Sequence, residues 1–192
     1  MKDTLTYFDL DGIVVDFTRD IFIPAGEQVL CWKLPQLSED TYDLADQLGL
    51  TTREHDRIWA SPELKFRMLT APVINRECHQ LVAGSGRHIF ITSRGCDPRI
   101  PDWQGFRELT EHWVRHALKD DSPVFFAGPH EKALVARTLG VNTAWEDHPT
   151  IVADLVAAGI RVSMPVYDYN RKLAHPLIHR VENWRRPIRE VA

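Results

Sequence analysis

The sequence predicts an α/β protein: a central, mainly parallel sheet in a three-layer sandwich, with a small helical cap inserted after the first strand. Three observations predict it. Short apolar runs rich in strand formers recur along the chain and stop at turn signals. Helical spacings of apolar residues fill the gaps between most of them. One gap, residues 17–85, is far longer than a crossover and is itself helical in pattern. Strands alternating with helices imply right-handed connections and parallel pairing. The expected division is a core of residues 1–16 and 86–192 with a cap of residues 17–85.

The elements follow in order. Leu5 to Leu10 is the first buried strand, ending at the Asp11-Gly12 turn signal. In the cap, Thr51 and Glu54 have capping-box spacing, and Ser61-Pro62 reads as an N-cap followed by Pro at N1. Ile58, Trp59, Leu64, Met68 and Leu69 give the cap helices their apolar faces. His88 to Ser93 is the second strand, behind Gly84-Ser85-Gly86. Phe106, Leu109, Trp113, Val114 and Ala117 recur at helical spacing. Val124 to Ala127 is the third strand; Leu134, Val135 and Leu139 mark a helix before Gly140. Thr143 to Trp145 is the fourth strand, Thr150 to Ala158 a helix after Pro149, and Ile160 to Val166 the fifth strand.

Composition narrows the function classes. The chain has 192 residues, 44% hydrophobic and 26% charged, and a formal net charge of −4. That balance demands neither nucleic acid nor an anionic membrane as a partner. The charge is uneven: residues 1–60 hold 5 Lys/Arg against 12 Asp/Glu, and residues 168–192 hold 6 against 3. Cys31, Cys78 and Cys96 are odd in number and widely spaced, which fits a reducing compartment and no CxxC zinc site. No apolar stretch is long enough to span a bilayer, and the first residues do not read as a signal peptide. The expected location is the cytoplasm.

In open α/β sheets, ligands bind beyond the carboxyl ends of the strands. Asp9 and Asp11 stand at the end of strand one, Thr92, Ser93 and Arg94 at strand two, and Glu146 and Asp147 at strand four. Lys132 lies in the first turn of the helix after strand three. Carboxylates from Asp9 and Asp147 suit a hard cation such as Mg²⁺. A carboxylate can serve as nucleophile, and a second one two residues on can transfer a proton. Thr92 and Lys132 offer a hydroxyl and a charge to phosphoryl oxygens. Each signal alone also has a plain structural reading: a turn Asp, a solvated Lys, a helix-opening Glu-Asp pair. Their order along the chain is what makes a set.

FDLDGIVVD, ITSR, Lys132 and WEDHP together resemble the four motifs of the haloacid dehalogenase-like (HAD) superfamily, over nearly the whole chain. The resemblance implies a HAD-type sandwich and an Asp9 nucleophile that forms an aspartyl-phosphate. It implies Asp11 as general acid/base, with its carbonyl on Mg²⁺, and Thr92 and Lys132 as phosphoryl contacts. Asp147 becomes a direct metal ligand, with Glu146 direct or through water. Asp at position 11 points to a phosphatase or phosphomutase. A finer resemblance, in Arg94, EDHP, Tyr169-Asn170-Arg171 and Arg180-Val181-x-x-Trp184, is to the 5′(3′)-deoxyribonucleotidase group; Glu146 departs from that group's two Asp. It implies a nucleoside monophosphate as substrate. Ser93, Arg94 and Arg171 are candidate substrate contacts, and Trp32, Trp59 and Phe66 candidate stacking residues, with core packing expected for at least two of the three. A nucleic-acid 3′ end, a small-metabolite phosphate ester and a non-catalytic phospho-ligand-binding role stay open, as does a homodimer. His112 and His116 share a helix face but lack the HExxH pattern, so a surface or packing role is expected.

Overall fold

The structure, a computed structural model, describes residues 4–35, 37, 44–96 and 102–184. Five strands fall where the apolar runs predict: β1 (Thr6–Phe8), β2 (His88–Thr92), β3 (Val124–Phe126), β4 (Thr143–Trp145) and β5 (Arg161–Pro165). A sixth, β6 (Ile178–Val181), has no apolar run behind it. Its sequence IHRV is half polar because it is an edge strand, paired only with β5. The order is β3-β2-β1-β4-β5-β6, and every pairing is parallel. This is the predicted three-layer α/β sandwich.

The pleat sorts side chains to two faces. Tyr7, Ile89, Ile91, Ala144, Val162 and Met164 pack under α7 (Lys132–Thr138) and α8 (Pro149–Ala157). Phe8 and Phe90 face the other way, toward α5 (Arg76–Gly84) and α6 (Trp103–Trp113). The predicted helix over residues 106–117 is therefore α6 followed by a π-helical turn, Val114–Leu118.

Most of the described residues in the long gap are helical. A π-helical turn (Phe17–Phe22) leads into α1 (Ile23–Leu30), and α2 (Leu44–Gln47), α3 (Thr52–Trp59) and α4 (Pro62–Thr70) follow. Thr51 and Glu54 form the expected capping box, and Ser61 accepts the Leu64 N–H at 3.1 Å. Ile58, Leu64 and Met68 from these helices join the same apolar cluster as Phe8 and Phe90. The Trp113 indole donates to the Ala71 carbonyl at 2.9 Å, and the Ile74 N–H to the Val14 carbonyl at 2.7 Å. The insert is thus packed onto one sheet face. Among the described residues no helix is long and apolar enough to cross a membrane.

Candidate active site

Register brings the site together. Phe8 lies beside Phe90 on one side and Trp145 on the other. The next residues of β1 and β4, Asp9 and Glu146, therefore leave the sheet at one level, with Thr92 just beyond. The Asp9 N–H donates to the Trp145 carbonyl at 2.9 Å, which locks the two strand ends. Gly12 then turns the chain at φ +78°; a Cβ there would collide with the Asp147 carboxylate, so glycine suits both the turn and the close approach.

Asp9, Glu146 and Asp147 are buried, and each offers a carboxylate oxygen within 4.8 Å of the others. Lys132, 2% exposed at the start of α7, sits between two of them: its Nζ is 2.8 Å from Asp9 Oδ1 and 3.1 Å from Glu146 Oε2. Burial alone would lower the Lys132 pKa, but Asp9 and Glu146 outweigh it and hold the ammonium charged. Glu146 is pushed up by burial and brought below the ordinary range by Lys132 and by the Tyr7 hydroxyl, which donates to Oε2. Its Oε1 accepts the N–H groups of Asp147 and His148 at 3.2 and 3.1 Å. Both Glu146 oxygens are thus engaged in holding Lys132 and the turn. Asp9 is held well above the ordinary carboxylate range by burial and then by Glu146, with Lys132 opposing.

Asp11 has a different partner. Arg94, 5% exposed in its side chain, donates from Nε to both Asp11 oxygens at 3.0 Å and from Nη2 to Oδ1. The Arg94 N–H donates to Thr92 Oγ1 at 3.2 Å, so the Thr92 hydroxyl helps turn the loop that places Arg94. The Ser93 hydroxyl donates to the Ala127 carbonyl at 3.1 Å and ties β2 to β3. Four carboxylates (Asp9, Asp11, Glu146, Asp147) thus meet two cations (Lys132, Arg94) at this edge. One divalent cation would balance the excess. Carboxylate oxygens suit a hard divalent cation such as Mg²⁺.

Tyr169 and Asn170 figure in the sequence reading without a role at Asp147, which both of them hold. Its carboxylate accepts from the Tyr169 hydroxyl, and its backbone carbonyl accepts from Asn170 Nδ2 at 2.9 Å. The Tyr167 hydroxyl donates to the Gly12 carbonyl. The signal was available: Tyr167-Asp168-Tyr169-Asn170 follows β5 at the same sheet edge. Other candidates lie elsewhere. Arg171 is exposed and pairs with Asp168 at 2.7 Å. Trp59 packs against Phe17 and Phe106, whereas Trp32 and Phe66 are exposed, so core packing holds for one of the three aromatic residues and not for two. The reason is that Trp32 and Phe66 stand on the outer faces of their segments. The His112 and His116 rings lie 4.1 Å apart on the exposed side of their helix. Residues 185–192 of the basic tail fall outside the described residues.

No protein-family model and no curated protein matches the sequence. Solved structures do match the fold. A haloacid dehalogenase-like family hydrolase from Streptococcus pneumoniae aligns over 85% of this chain and 84% of its own, with a TM-score of 0.55 and 15% identity. CbbY from Rhodobacter sphaeroides, solved in complex with phosphate, aligns over 92% of both chains, with a TM-score of 0.56 and 15% identity. A variant of it, solved with xylulose-(1,5)bisphosphate, has a TM-score of 0.55 at 14% identity and also covers 92% of both chains. The fold is that of the HAD-like hydrolases. In this fold the carboxylate cluster stands at the carboxyl ends of β1 and β4.

Proposed function

We propose that this chain is a Mg²⁺-dependent phosphatase that hydrolyses a phosphate monoester through an aspartyl-phosphate on Asp9. The observation that carries the reading is the buried cluster at one sheet edge, Asp9, Lys132, Glu146 and Asp147. Asp9 and Asp147 are the carboxylates for the ion, Asp11 adds its backbone carbonyl by resemblance, and Glu146 supports directly or through water. Mg²⁺, when bound, neutralises phosphoryl charge and lets a carboxylate approach phosphorus. An Asp9 oxygen forms the new bond to phosphorus as the ester P–O bond breaks, and Asp11 delivers a proton to the leaving oxygen. Asp11 then takes a proton from water, whose oxygen attacks phosphorus and frees Asp9 with inorganic phosphate. Thr92 and Lys132 hold phosphoryl oxygens, and the helices of residues 17–85 act as the cap that selects the leaving group.

For the substrate, we favour a nucleoside monophosphate. The support is the resemblance in the Tyr169 and Arg180 segments. Those residues also have structural duties: Asn170 braces Asp147, and the Trp184 indole donates to the Ile13 carbonyl at 2.9 Å. A sugar phosphate is the second reading, favoured by the bisphosphate complex of the structural neighbour. Phosphate release from NMPs, dNMPs, sugar phosphates and 3′-phosphorylated oligonucleotides, with and without Mg²⁺, separates these. Turnover should need Mg²⁺, favour the nucleotides, and fall by at least about a thousandfold in Asp9→Asn. Release from sugar phosphates alone would end the nucleotidase reading; full activity in Asp9→Asn would end the mechanism.

A further inference from the structure

We propose that Arg94 is a two-sided residue: one edge of its guanidinium positions Asp11, and the other binds phosphoryl oxygens of the ligand. This rests on the phosphatase reading and adds a residue to it.

The geometry is specific. The Nε and Nη2 donors face the Asp11 carboxylate. Nη1 is the one buried nitrogen or oxygen among the described side chains with no hydrogen-bond partner. A buried cationic donor without an acceptor is costly, so such a group in a folded site points to an absent acceptor. Guanidinium is planar and forked. With one edge on a carboxylate, Nη1 and the second Nη2 proton form another edge shaped for two oxygens of one anion.

The surroundings favour a ligand anion. Phe17 lies along the guanidinium, 5.7 Å from ring centroid to Cζ, and offers no oxygen acceptor. Lys132, the other buried cation, has two of its three donors on carboxylates and so at most one left for a phosphoryl oxygen. Arg94 stands two residues after Thr92, whose hydroxyl accepts its backbone N–H, so Arg94 leaves the same strand end as that proposed phosphoryl contact. The same residue then couples phosphoryl binding to the orientation of Asp11. A lysine could neutralise Asp11 but could not serve both edges.

Calorimetric titration of inorganic phosphate into the Mg²⁺-loaded chain tests the binding edge without turnover. Hydrogen bonds to charged groups predict a Kd raised about tenfold to a hundredfold in Arg94→Gln. Arg94→Lys, which keeps the charge, should recover part of the affinity. The positioning edge is read in kcat on p-nitrophenyl phosphate, which should fall in both variants beyond any change in KM, and in Arg94→Ala should rise on adding guanidinium ion. Unfolding midpoints confirm that each variant is folded. Unchanged phosphate affinity in folded Arg94→Gln would overturn the inference even if wild-type turnover is normal. A wild-type chain that binds phosphate through Arg94 but hydrolyses no ester would instead sink the phosphatase reading and leave only the binding edge standing.

Discussion

Strand β2 has a polar network at each end, and the two are built on different principles. At its amino end His88 meets Asp120 at 2.7 Å and Ser122 at 3.0 Å through Nε2, and Ser85 at 3.0 Å and the Gly86 carbonyl at 2.9 Å through Nδ1. The rings of Phe8 and Phe90 stand edge-on to it. Serine, histidine and aspartate thus lie in contact, as in a hydrolytic triad, but the Ser85 hydroxyl is turned to the Val82 carbonyl at 2.7 Å. Each ring nitrogen has its partner within the protein. At the carboxyl end, carboxylates outnumber cations and a guanidinium nitrogen lacks an acceptor. A closed network holds a fold together; an open one is shaped for something that is not protein. Residue types alone would have flagged both ends.

The largest effect should come from closing the difference by force. Lys132→Met leaves Asp9 and Glu146 as buried carboxylates without their shared cation. Breaking a buried ion pair from one side costs about 3–5 kcal/mol, so the unfolding midpoint should fall steeply in metal-free buffer. Mg²⁺ should restore part of that loss, because a divalent cation replaces some of the missing charge. The check is a denaturant titration with and without Mg²⁺. Midpoints of wild type and Lys132→Met that both ignore Mg²⁺ would mean that the carboxylate excess does not hold a metal.

A smaller effect isolates the brace on Asp147. Tyr169→Phe removes the hydroxyl that donates to its carboxylate and leaves the ring packed against Tyr167. Partners of metal-ligating carboxylates typically contribute tenfold to a hundredfold in affinity or activity. The Mg²⁺ concentration for half-maximal turnover should rise by about that factor, with little change in metal-free stability. An unchanged Mg²⁺ requirement would reduce Tyr169 to packing.

These two residues also show what a sequence can and cannot yield. Lys132 was legible because it opens a helix after a parallel strand, so topology alone sends it to the carboxyl edge. Asp9, Glu146 and Asp147 were legible for the same reason, and five of the six strands announced themselves by apolar runs. Tyr169 was hidden because tyrosine beside a strand end reads as packing until its hydroxyl is placed. Tyr7 was hidden inside a strand, although its hydroxyl reaches Glu146, 139 residues away. The pairing of Arg94 with Asp11 spans 83 residues and depends on side-chain rotamers, which no spacing rule fixes. Strand β6 was lost because an edge strand needs no continuous apolar run.

The smallest effect belongs to the closed end and is a matter of pH. Burial pushes the Asp120 carboxyl up, but hydrogen bonds from Ser122 and His88 outweigh it and leave the group below the ordinary carboxylate range. A carboxyl with a depressed folded pKa stabilises the fold above the unfolded value, about 3.9, and loses that contribution as pH falls through the folded value. Asp120→Asn should therefore lower stability at neutral pH by about 1 kcal/mol, the worth of a typical intramolecular hydrogen bond. The gap to wild type should begin to narrow below about pH 4, where the unfolded chain takes up the proton first, and close once the pH falls past the depressed folded value and the wild-type carboxyl is neutral too. Thermal unfolding at several pH values measures it. Turnover at neutral pH should be unchanged, because the substitution lies at the opposite end of β2 from Asp9. A fall in kcat as large as that in Arg94→Gln would mean that the two ends are coupled and that the closed network serves the open one.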